Sequence, residues 1–182
     1  NTLFANSDKL KLRAFDPFGN EYVAKILDQV ESSAEIKRFG NNITEIKVAS
    51  VLAPVNVVTG AQGTLPHLMG VISYIRLNKN QEVLSIDLIV HNAMSGLRTS
   101  NPLGRALKEL YYSHLELEVA GAYSIKTGLT TPFTENSYQQ GGKSFINLVK
   151  PNADGTMHFL GMHSQLAFRT TIAPINAVAT AQ

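Results

Sequence analysis

Residues 9–15 alternate charged and apolar side chains without a break, with Lys9, Lys11 and Arg13 on one side and Leu10, Leu12 and Ala14 on the other. A period of two is the period of a β-strand, so this segment reads as a strand with one buried face. Asp16-Pro17-Phe18-Gly19-Asn20 follows. Its proline presets φ, and its glycine and asparagine tolerate positive φ, so the chain is expected to reverse there. Residues 21–34 fit two periods. Val23, Ile26, Leu27 and Val30 make a helical face, while Tyr22, Ala24 and Ile26 make a strand face, and the preceding turn favours a returning strand over 21–30. Residues 31–42 are polar and charged and end in Gly40-Asn41-Asn42. Residues 43–58 are rich in β-branched side chains and interrupted only by Pro54, where a strand must bend or lie at a sheet edge.

Segments 68–77 and 82–91, joined by Asn78-Lys79-Asn80-Gln81, predict a hairpin. In its second strand Leu84, Ile86, Leu88 and Val90 share one face, and Val83, Ser85, Asp87 and Ile89 the other. One short α-helix is expected near 102–112. Asn101 is its cap, Pro102 sits at its first position, and Leu103, Ala106, Leu107, Leu110 and Tyr111 form its apolar stripe. His114, Glu116 and Glu118 then alternate with Leu115, Leu117 and Val119, as in a strand with one wet face. Residues 128–143 read as a long loop, either functional or flexible. A last hairpin is expected to pair 144–150 with 156–163, followed by a strand over 165–172. With this many strands and no strand-helix alternation, the expected fold is mainly β: an antiparallel sandwich or barrel, with a jelly roll as one such topology. The pattern places no domain boundary within 1–182 and marks 1–7 and 174–182 as flexible arms.

Composition narrows the chemistry. The chain of 182 residues has no cysteine, which excludes disulfides, thiolate metal sites and thiol nucleophiles. Its charged fraction of 16% lies below the ~25% typical of globular domains, so much of its surface is polar but neutral. Charge is depleted at the cores of protein interfaces, which favours a subunit flanked by copies of itself over a secreted protein with neutral loops. A net charge of +2 does not indicate a dedicated nucleic-acid binder, although nucleic acid remains a possible partner. No apolar run approaches the ~20 residues that span a bilayer, and nothing at the start reads as a signal peptide. A virion or extracellular setting is favoured over the cytoplasm.

Candidate chemistry is sparse. His158 and His163, with Met157 and Met162 close by, invite a soft-metal reading, but a spacing of five sends strand side chains to opposite faces, so no metal is expected. His67, His91 and His114 read as structural. No G-x-S-x-G elbow occurs, and the glycines at 60–63 and 141–142 lack the lysine and hydroxyl of a phosphate loop. Glu116 and Glu118 share a face, as paired carboxylates of a glycosidase would, yet such a pair is ordinary on a wet strand. The leading binding candidate is the helix start at 96–105, where free amides meet Arg98, Asn101 and Arg105 and would take a phosphate or carboxylate. The plainer reading leaves Asn101 as a cap and the arginines solvated or paired. The cations of 9–13 form a basic row, read as protection of an edge strand. Phe15, Tyr74 and Phe159 are assigned to apolar faces, leaving Tyr138, Tyr111 and Tyr112 as possible contacts.

No catalytic set or cofactor site emerges. The sequence favours a structural subunit of a self-assembling body, such as a viral or phage capsid, tail or surface filament. A secreted or surface module for an anionic or sugar-like ligand comes second, and an enzyme third.

Overall fold

Asp16, only 4% exposed, organises the first hairpin. Its carboxylate accepts hydrogen bonds from the Phe18 and Asn20 amides at 2.9 Å each, from Asn20 Nδ2 at 2.8 Å and from the Tyr22 hydroxyl at 3.3 Å. Gly19 takes a φ of 81° to complete the reversal. The expected strand, turn and returning strand are therefore present, as β1 (Leu10–Phe15) and β2 (Glu21–Lys25). The computed structural model describes residues 7–28, 33–56, 65, 67–92, 109–128, 134 and 136–175.

Twelve further strands follow in these segments: β3 (Ser33–Phe39), β4 (Ile43–Val51), β5 (Ala53–Pro54), β6 (Gly70–Asn78), β7 (Leu84–His91), β8 (Glu109–Tyr112), β9 (Leu115–Ala120), β10 (Tyr123–Thr127), β11 (Tyr138–Gln140), β12 (Lys143–Val149), β13 (His158–Gly161) and β14 (Gln165–Pro174). They form two antiparallel six-stranded sheets. The first has the order β11-β12-β9-β1-β2-β5, the second β10-β14-β7-β6-β4-β3, and β13 and β8 make a separate pair. Among the described residues each large sheet ends in strands paired on one side only, so neither closes into the barrel that the sequence left open. Leu10, Leu12, Tyr22 and Leu117 of the first sheet share one hydrophobic cluster with Val71, Ile75, Ile86, Leu88 and Phe168 of the second.

Several expectations are corrected. The helix predicted over 102–112 is not helical in its last turn, because Glu109–Tyr112 is strand β8. Leu110 and Tyr112 are buried while Glu109 and Tyr111 are exposed, a period of two that outweighs the helical spacing of Leu107, Leu110 and Tyr111. Phe159 and His158 of β13 supply the partners of Tyr111 and Tyr112. Residues 102–108 lie outside the described residues, as do 1–6 and 176–182 of the expected arms.

The described part of the segment 43–58, residues 43–56, holds two strands rather than one bent strand. Leu52, fully buried, separates β4 in the second sheet from β5 in the first, with Pro54 at an edge. The hairpin of 144–150 with 156–163 does not form. β12 is buried on both faces, so it takes an interior place between β9 and β11, and β13 pairs with β8 instead. The loop expected at 128–143 contains β11. The polar stretch 31–42 contains β3, whose alternation of Ala34 and Ile36 with Glu35 and Lys37 is hidden by its charge. The hairpin of β6 and β7 and the final strand β14 match the sequence pattern, and Asn80 takes a φ of 70° in the turn.

Candidate functional site

The basic row and the paired carboxylates, distant in sequence, meet on the first sheet. β1 lies between β9 and β2, with Lys11 opposite Glu118 and Arg13 opposite Glu116. β1 is thus an interior strand, and the edge-protection reading of its cations is replaced by a pairing one. Lys9 sits in the 3-10 turn before the strand. Glu116 and Glu118 are buried rather than wet, with side chains 6% and 5% exposed.

Arg13 holds the cluster together. Its Nη1 lies 2.9 Å from Glu116 Oε2 and 3.6 Å from Glu118 Oε2, and its Nε donates to Glu21 Oε1 at 2.7 Å. Burial opposes its charge, but Glu21, Glu116 and Glu118 outweigh that, so the guanidinium pKa is raised above its ordinary value. Lys143 Nζ stands 2.7 Å from Glu118 Oε1, an ion pair without the directionality of a hydrogen bond. The Tyr138 hydroxyl donates to Glu116 Oε1, and its ring stacks on Phe145 with centroids 5.2 Å apart. Next to this cluster lies a groove of about 490 Å³, bordered by Lys11, Lys25, Lys143, Glu21, Pro54 and Val55.

Glu116 and Glu118 each have a cation within ion-pair distance, contacts that a glycosidase reaction at this pair would have to break. The groove is suited to recognition of a small polar ligand, with ammonium groups on its rim.

A second charge ladder crosses the other sheet. Arg76 lies 2.5 Å from Glu45 and 2.8 Å from Asp87, and Arg169 donates twice to Asp87, at 2.8 and 3.2 Å. Hydrogen bonds from Arg169, then Arg76, hold the Asp87 carboxyl below its usual range. The sequence reading missed this ladder, although a lone Asp87 amid Ile86, Leu88 and Ile89 was a signal that a cation must lie across the sheet.

The histidines are dispersed. His158 rests on Tyr112, with Nε2 2.9 Å from the Lys150 carbonyl, and His163 lies in the following turn at a φ of 61°. His114 stacks on Phe15 at 4.4 Å, and the His91 ring lies over Gly70. Among the described residues no group of three or more His, Asp or Glu side chains is placed to hold a metal. Phe15 and Phe159 are not on apolar inner faces. Phe15 lies under the Arg13 guanidinium, and Phe159 is 63% exposed beside Tyr111. Arg98, Asn101 and Arg105 lie outside the described residues. No helix among the described residues is long and apolar enough to cross a membrane. No family model, curated protein or solved structure matches the chain.

Proposed function

We propose that the chain is a structural subunit of a self-assembling body such as a viral or phage capsid, a tail or a surface filament. In this reading the two sheets pack as a sandwich of jelly-roll type, the partners are further copies of the chain, and the setting is a virion or the extracellular space. The observation that carries it is the uncovered apolar surface of β3, where Ile36 is 63% and Phe39 84% exposed. Exposed apolar surface on a strand at a sheet edge marks an interaction site, because water leaves both the side chains and the open backbone edge when a partner covers them. The ion pairs that cross both sheets, among them Arg13 with Glu116 and Arg76 with Asp87, agree with a scaffold role. Light scattering over a wide concentration range tests it, with growth in mass expected and a constant monomer mass contradicting it.

The groove beside Arg13 supports a second reading, a surface module for an anionic or sugar-like ligand. A thermal-shift panel of phosphate, carboxylate and sugar ligands separates the two, because ligand bound to the native state raises Tm.

A further inference from the structure

We propose that β3 is the strand through which two copies of the chain pair, antiparallel and about a two-fold axis at Ile36. This rests on the self-assembly reading above and names the surface that it uses.

The edges of the two sheets differ. In the first sheet β5 has 2 residues and β11 has 3, too short to template another strand. β3 has 7 residues and is exposed along its whole length. Its apolar side chains also continue an inner face. Ala34 and Ile36 stand opposite Val48 and Ile46 of β4, and paired residues point to the same side of a sheet. Val48 is buried and Ile46 packs against the core, whereas Ile36 and Phe39 lie open. The core-facing side of the second sheet therefore runs one strand past its cover.

The charges on β3 fit a second copy of β3. Antiparallel pairing centred on Ile36 sets Glu35 of each copy opposite Lys37 of the other, two unlike pairs from one strand. The register against β4 slips between Ile36 and Arg38, leaving Lys37 without a partner position there. A lysine on an edge strand repels most incoming strands. It admits one that presents a carboxylate opposite, and this strand presents that carboxylate to itself. Within one copy Lys37 Nζ lies 2.6 Å from Glu35 Oε1, with side chains 37% and 61% exposed. A pair so exposed is worth little, so its exchange for the pair between copies is nearly neutral. The unlike pairs set the register, and coverage of Ile36 and Phe39 supplies the attraction. One short strand from each copy falls at the low end of interface size, below roughly 1,200 Å², so pairing depends on concentration.

The test uses the full chain and two charge reversals, E35K and K37E, both on exposed side chains that leave the core untouched. Sedimentation equilibrium across concentration reads association, and circular dichroism verifies the fold of each variant. Each reversal alone places like charges opposite one another and is expected to weaken pairing by roughly tenfold or more. An equal mixture of the two variants places unlike charges opposite at both positions and restores it, as does the double variant alone. Assembly of the native chain that both reversals leave unchanged overturns this contact and keeps the assembly reading. Reversals that weaken pairing without rescue by mixing overturn the two-fold arrangement. A native chain that stays monomeric overturns both.

Discussion

Arg13 and Glu116, 103 positions apart in the chain, lie opposite one another on β1 and β9 with Arg13 Nη1 2.9 Å from Glu116 Oε2. The contact lies on the longest-range strand pairing of the first sheet, and the burial of Glu116 makes it consequential. Removing one partner of a buried pair leaves an uncompensated charge, whereas removing both need not. Arg13→Ala is therefore expected to lower stability by on the order of 3 kcal/mol. The double change Arg13→Leu with Glu116→Leu should recover part of it, because Glu118 keeps Lys143 as a partner while Glu21 loses one. Urea denaturation midpoints measure both, and a loss below about 0.5 kcal/mol for Arg13→Ala would contradict the pairing.

Asp16 is expected to matter as much to the first hairpin as any apolar residue. Asp16→Ala removes the acceptor of two backbone amides, the Asn20 side chain and the Tyr22 hydroxyl, and should lower the unfolding free energy from urea denaturation by about 2 kcal/mol. Asp16→Asn keeps one acceptor oxygen and should fall between the two.

Gly70 makes room for a ring. A Cβ at Gly70 would lie 2.2 Å from His91 Cε1, so Gly70→Ala must displace the imidazole, with an expected cost of about 1–2 kcal/mol. In the His91→Ala background the same change should cost far less. A double-mutant cycle that shows no coupling would contradict the placement of the His91 ring.

Acidification should destabilise the chain in two stages. Burial pushes the His67, His91 and His114 imidazoles below their ordinary value. Between those lowered values and ~6.5 the unfolded chain binds more protons than the folded one. The stability they contribute is thus full above ~6.5 and lost as pH falls through that window. Asp87, held low first by its hydrogen bond from Arg169, adds stability present above ~3.9 and lost as pH falls further. Tm measured from pH 8 to pH 3 should fall in both windows. His114→Phe, which preserves the stack on Phe15, should flatten the first. A Tm that rises between pH 7 and pH 5 would contradict the sign.

Where one face of a strand meets the core and the other meets water, the alternation was legible. The alternation of Leu10 and Leu12, and of Ile86 and Leu88, marks β1 and β7 for that reason. The reading failed where burial is two-sided or absent. β12 is covered on both faces, so its sequence carries no alternation to show its neighbours. β3 is covered on neither, so its charges resemble a loop. The helical spacing that ends at Leu110 and Tyr111 misled because period alone cannot weigh the partner that β13 offers to β8. For the candidate site, Lys11, Arg13, Glu116, Glu118 and Tyr138 were each visible as single features. Their convergence was not, because the register that sets Arg13 opposite Glu116 is a property of the sheet rather than of either segment.

If copies of the chain assemble with one another, as we propose, the mass of the purified protein in solution must grow with concentration. Light scattering from micromolar to millimolar concentration should show a mass that grows beyond the 19.8 kDa of one chain. A mass that remains at 19.8 kDa across that whole range would contradict the account and move the weight to the groove beside Arg13.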